Sequence, residues 1–120
     1  MILKDCYAAL GGNYDEALGR LFSEKIMQKF VLKFLNESSY AQLLTALENR
    51  DGDAAFRAAH TIKGVCLNLS FDKLRTSVEP LCEALRHGWT DEALTLAEPV
   101  KADYEQTLAA IRALQATLEG

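Results

Sequence analysis

Apolar residues recur along this chain three and four positions apart, and no stretch shows the alternation of a half-buried strand. The first helical segment falls at about residues 2–10 and is closed by Gly11-Gly12. A second runs from about 14 to 36, with Asn13 or Asp15 as candidate cap. In it the stripe Phe22, Ile26, Phe30, Phe34 lies beside Met27, Val31 and Leu35, and Gly19 and Ser23 are the points where it would divide in two. Ser38 or Ser39 opens a third segment carrying Tyr40, Leu43, Leu44 and Leu47, which ends near Arg50, before Asp51-Gly52. Asp53 is the candidate N-cap of a helix over about 54–69. Ser70 or Asp72 starts the next, with Leu74, Val78, Leu81, Cys82 and Leu85 inward, a kink expected at Pro80 and a stop at Gly88. Thr90 caps the last, whose stripe is Leu94, Ala97, Tyr104, Leu108, Ile111 and Leu118, with a bend expected at Pro99.

Short connections between long amphipathic helices make neighbours antiparallel. The expected fold is therefore all-α: an antiparallel up-down four-helix bundle with one or two short additional N-terminal helices. At 120 residues it forms a single domain, 1–120. Composition leaves that picture intact, with 49% hydrophobic and 25% charged residues. The net charge of -4 and the scattered basic residues argue against nucleic acid, which needs a basic stripe to neutralise phosphates. No apolar run approaches the ~18 residues of a membrane span. The start Met1-Ile2-Leu3-Lys4-Asp5-Cys6 lacks the basic and long apolar regions of a signal peptide, so a cytoplasmic location is expected. Met1 and the full helix set point to a free-standing protein, and a bundle able to cover its own stripes points to a monomer. Cys6, Cys66 and Cys82 are odd in number and none is paired as C-x-x-C, which gives a zinc or redox site poor support. Cys66 falls on the expected core face.

One helix carries more than packing. With His60 at zero and about 100° per residue, Ala55, Ala58, Ile62, Val65, Cys66 and Leu69 gather on the far side. Phe56, Arg57, Lys63, Gly64 and Leu67 cluster around His60, which points away from the packing face. Neutral imidazole is a good nucleophile near pH 7, its unperturbed pKa being about 6.5. Lys63, at i+3, lies close enough to pair with an anion placed on the ring. Gly64, at i+4, leaves space beside it for a phosphoryl group or a partner's loop. Glycine costs a helix interior roughly 1 kcal/mol relative to alanine, which fits a steric role better than a structural one. Phe56 and Leu67 would form an apolar rim, although Phe56 could equally bend into the core.

Ala59-His60-Thr61-Ile62-Lys63-Gly64, followed by Asn68 and Phe71-Asp72-Lys73-Leu74, resembles the signature of histidine-containing phosphotransfer (HPt) domains of two-component phosphorelays. The form with Ile62 and Phe71 is also similar to the N-terminal phosphotransfer domain of chemotaxis kinases. A weaker likeness, in helix order, extends from about residue 15 to 118, with Arg20-Leu21, Phe30, Phe34, Leu44 and Leu47 fitting the pattern. The resemblance implies that His60 takes a phosphoryl group from a receiver-domain phospho-aspartate and passes it to another receiver aspartate. Lys63 would steady that group and Gly64 would permit approach. Phe56, Arg57, Leu67 and Asn68 would meet the partner, a response-regulator receiver or a hybrid histidine kinase. The receiver would supply the acidic pocket and Mg²⁺, so this chain would hold no cofactor or metal. Four positions depart from the family. Ser70 stands where glycine is usual, which should change the turn and leave the chemistry alone. Val65 and Cys66 replace small residues, which should alter only packing. Cys82 stands where many members have a glutamate or glutamine that orients the histidine ring. Glu79, one turn earlier on the same face, is the candidate to take over that task by bonding the other ring nitrogen.

His87, before Gly88 at a helix end, fits a capping or solvated role. No G-x-x-x-x-G-K-[ST] or G-x-G-x-x-G loop occurs, so the chain is expected to be a phosphocarrier without ATP-binding or autokinase elements, and not an enzyme. A non-catalytic helical module that binds a receiver without transfer is the competing reading. A hydrolase or metal enzyme built on His60 is weak, because no acid, cysteine or second histidine is placed by sequence to complete a dyad.

Overall fold

A computed structural model describes residues 2–119, and among them every regular element is helical. The order is α1 (Leu3–Leu10), α2 (Tyr14–Leu21), α3 (Glu24–Lys33), a 3-10 turn (Phe34–Asn36), α4 (Ser39–Glu48), α5 (Gly52–Leu69), α6 (Asp72–Leu85) and α7 (Glu92–Glu119). Helices α4 to α7 form the expected bundle: α5 packs between α4 and α6, and α6 packs on α7. The front of the chain divides into three short helices, and α1 lies along α7. None of the helices is long and apolar enough to cross a membrane among the described residues.

Local chemistry sets these boundaries. Gly11 ends α1 in the left-handed conformation, at φ 79°. Asn13 caps α2, its side chain accepting from the Glu16 amide. The break foreseen near Ser23 is real: Phe22 turns left-handed and the Ser23 hydroxyl accepts from the Ile26 amide. Elsewhere the cap is not the expected residue. The Ser38 and Ser39 hydroxyls do not cap α4; the Glu37 carboxylate accepts from the Ser39 amide instead, at 3.1 Å. Asp51, not Asp53, caps α5 by accepting from the Ala54 amide, so the helix starts at Gly52. Asp53 lies inside the first turn and pairs with Arg57 one turn on. Phe71 occupies the N-cap position of α6 with no side-chain cap bond, and neither Ser70 nor Asp72 fills that role. Thr90 does reach the Glu92 amide, at 3.4 Å. Helix α6 runs on through Pro80 and α7 through Pro99.

The core also sorts the competing stripes. Met27, Val31 and Phe34 are buried, while Phe22, Ile26 and Phe30 stay exposed, Phe22 at 87%. Leu94 and Leu118, assigned to the inner stripe of α7, are exposed as well; Ala97, Tyr104 and Ile111 are buried as expected and Leu108 is half-buried. Aromatic rings fill the centre. Phe71 meets Tyr7 and Phe34 edge-on, and Tyr104 stacks on Tyr40 with centroids 4.0 Å apart.

The turn between α5 and α6 is tied from several sides. Ser70 adopts the left-handed conformation, φ 57° and ψ 44°, with its amide donating to the Cys66 carbonyl. The turn thus keeps the form a glycine would give, contrary to the expected change, and the serine hydroxyl offsets the strain by donating to Glu16 and accepting from Arg20. Asn13 donates to the Ser70 carbonyl and Tyr7 Oη to the Leu69 carbonyl, both at 2.8 Å. These bonds fix the register of the α5–α6 hairpin, on which the site depends.

Candidate functional site

His60 is exposed in the middle of α5. Buried Ala55, Ala58, Ile62, Cys66 and Leu69 hold the opposite face of the helix, as the wheel places them. Ala59 is buried too, and Val65 sits at the margin rather than in the core. The histidine is therefore carried by a rigid scaffold and turned outward.

Its surroundings come from two helices. On α5, the Phe56 ring stacks on the imidazole, with centroids 5.7 Å apart and planes 16° apart. Phe56 is half-buried against the core rim, so its ring backs the histidine instead of standing free. Lys63 is half-buried and, among the described residues, is matched by no carboxylate. Arg57 is exposed and paired with Asp53. Gly64 is exposed, and a Cβ built there would meet nothing within 4 Å. Leu67, 49% exposed, and Asn68 continue the outward strip toward the helix end. A shallow groove lined by Phe30, Val65 and Asn68 opens beside that strip.

Helix α6 supplies the other wall, and here the structure differs from expectation. The atom against His60 Nδ1 is Cys82 Sγ, at 3.9 Å, while the Glu79 carboxylate is engaged by Arg75. Hairpin register explains the difference. Eleven residues back from Phe71 is His60, and eleven on is Cys82. The same count from Phe71 puts Lys63 level with Glu79 and Phe56 level with Arg86. Lys63 and Glu79 do line one shallow cleft, and the Arg86 guanidinium does sit over the Phe56 ring, 5.6 Å from its centroid. Arg86 was not singled out from sequence; counting outward from the turn would have found it.

Burial pushes the Cys82 thiol above its ordinary value, against the opposing effect of Lys63 and Arg86 nearby. On the buried face of α5, burial raises Cys66 to about 12. Thiols held neutral in this way are poor nucleophiles. His87 is exposed in the turn after α6. No group of three or more acidic, cysteine or histidine residues is placed to hold a metal among the described residues.

The Hpt domain family model matches residues 33–117, a span from the end of α3 through nearly all of α7 that contains the whole site. No curated protein and no solved structure matches the chain. Hpt domains serve phosphorelay-type histidine phosphotransfer in two-component signalling, as phosphocarriers without kinase activity that interact with receiver domains. A helical bundle matched over most of its length, with an outward histidine on the second of its four bundle helices, belongs to the Hpt domain family.

Proposed function

We propose that His60 is the residue that carries the phosphoryl group, taking it from a receiver-domain phospho-aspartate and giving it to another receiver aspartate. One observation carries this reading: the exposed imidazole lies one turn from an unmatched lysine and from a glycine whose Cβ position is open space. Lys63 would balance the charge brought to the ring, and Gly64 would let the receiver's loops close on it. Transfer then depends on positioning and electrostatics, with little covalent work left to this chain. The receiver would bring its own carboxylates and Mg²⁺. Leu67 and Asn68, with Arg57 and the edge of Phe56, offer the contact strip for that partner.

The test is phosphoryl uptake. Mixed with a panel of phosphorylated receivers, the protein should acquire acid-labile, base-stable phosphate, and His60→Gln should acquire none while keeping its circular dichroism. Lys63→Ala should slow uptake by about 10- to 100-fold with little change in melting temperature. Label persisting in His60→Gln would move the site elsewhere. No label from any receiver would leave a binding module without transfer.

A further inference from the structure

We propose that His60 Nδ1 and Cys82 Sγ form a two-ligand site for a soft monovalent cation of the Cu⁺ class, and that loading this site silences the histidine. The binding half stands on geometry alone; the silencing half rests on His60 being the carrier. The two atoms come from different helices and lie 3.9 Å apart. A d10 ion holds thiolate sulfur at about 2.3 Å and imidazole nitrogen at about 2.0–2.1 Å, so one ion spans up to about 4.4 Å between them. At 3.9 Å the angle at the ion is roughly 130°, wide of tetrahedral and open toward the linear arrangement that two-coordinate Cu⁺ takes. The pair is held ready. Phe56 stacks on the imidazole, Cys82 is 1% exposed on a packed helix, and the tied Ser70 turn fixes the register between them.

The donor set selects the cation. No third cysteine, histidine or acid joins the pair among the described residues, whereas zinc takes three or four protein ligands. The two α6 carboxylates that act on Cys82, Glu79 and Glu83, are engaged by Arg75 and Arg86. What remains is one soft sulfur and one imidazole, a combination that favours Cu⁺ over hard cations. Charge points the same way. Lys63 and Arg86 both bear on the Cys82 sulfur. Thiolate and Cu⁺ cancel, so a monovalent ion adds no net charge beside those two cations, while a divalent ion would add one. Binding exchanges the thiol proton for the metal: the S–H bond breaks, the proton leaves to solvent, and sulfur and Nδ1 each donate an electron pair to Cu⁺. The remaining ring proton then sits on Nε2. A neutral imidazole has one nitrogen with a free lone pair, and the metal takes it. Neither nitrogen is left to attack phosphorus, so the loaded protein cannot accept a phosphoryl group.

The experiment titrates the reduced protein with Cu⁺ under anaerobic conditions, against bicinchoninate as a coloured competitor. Wild type should hold one equivalent that neither His60→Gln nor Cys82→Ser holds, each loss exceeding the roughly 10- to 100-fold that removal of a mere supporting group costs a metal site. Cys6 and Cys66 remain in both variants and serve as the thiol control. Cys82→Ser exchanges sulfur for oxygen at nearly equal size. His60→Gln alters an exposed side chain and so tests the same site without touching the core. In long-range ¹H–¹⁵N spectra, loading should move His60 Nδ1 and leave Nε2 protonated. Phosphoryl uptake from phosphorylated receivers should stop in Cu⁺-loaded wild type and return on adding excess bicinchoninate. Uptake by Cys82→Ser, whatever its rate, should be indifferent to the metal. No equivalent held by wild type, or one held equally by either variant, overturns the site. Uptake by loaded wild type at its metal-free rate overturns the silencing. If the metal binds as stated but metal-free wild type takes no label from any receiver, the carrier reading fails and the cation site stands.

Discussion

Arg20 Nη1 donates to the carbonyl oxygen of Leu67 at 2.8 Å, joining two residues 47 positions apart. The same nitrogen reaches the Asn68 carbonyl at 3.1 Å and the Ser70 hydroxyl at 2.8 Å. A helix leaves its last carbonyls without internal partners and its C-terminal end partly negative. Arg20 satisfies both at the end of α5 and fastens α2 beside the strip that runs up to His60.

Arg20→Met keeps the aliphatic stem and removes these donors. It should lower stability by about 1 kcal/mol, the carbonyls of Leu67 and Asn68 being open enough for water to replace part of the loss. A lower urea midpoint with an unchanged slope is the expected result. An unmoved midpoint would mean that water replaces the arginine in full.

The two glycines of α5 should respond oppositely to alanine. At Gly52 a Cβ would lie 2.4 Å from the Trp89 amide nitrogen and 2.8 Å from the Gly88 carbonyl carbon, both backbone atoms. Gly52→Ala should cost about 1–3 kcal/mol through overpacking. At Gly64 a Cβ meets nothing, so Gly64→Ala should leave stability unchanged or raise it by up to about 1 kcal/mol. Phosphoryl uptake by that variant should nevertheless drop about tenfold or more, since the methyl group enters the space kept for the partner. Thermal melts and labelling on the same preparations separate the two effects.

Acid should loosen the α2–α5 tether at a definable point. The Ser70 hydroxyl, then Arg20, hold the Glu16 carboxyl below its ordinary 4.5. A folded-state value below the unfolded one means that the unfolded chain takes the proton first as pH falls. The stabilisation is complete above the ordinary value and disappears as pH drops through the folded one. The melting-temperature gap between wild type and Glu16→Gln should therefore be constant above about pH 5.5 and close at lower pH. A gap that persists at pH 3 would show that the carboxylate charge is not what the network uses.

Much of the bundle was legible because a helix repeats every 3.6 residues whatever surrounds it. The run from Ala55 to Leu69 names its buried face, and with it the outward His60, from spacing alone. Caps were less legible. Asp51 and Asp53 are equally good acceptors, and the choice turned on Gly52 packing against the turn before α7 and on Arg57 drawing Asp53 away. The two stripes of α3 could not be ranked by periodicity either. Both are apolar at i+4, and only the position of Phe71 and Tyr104 beside Phe34 decided that Met27, Val31 and Phe34 go inward.

The sequence by itself determined the helices, the turns between most of them, and the set of residues that share a face with His60, because those depend on contacts within about four residues of chain. Which groups approach His60 from α6 was decided by tertiary structure. The Ser70 turn, tied by Asn13, Tyr7 and Arg20, sets the register that brings Cys82 to Nδ1 and Arg86 over Phe56. A single turn of slip along α6 would have presented Glu79 in place of Cys82, and with it a different charge beside the histidine.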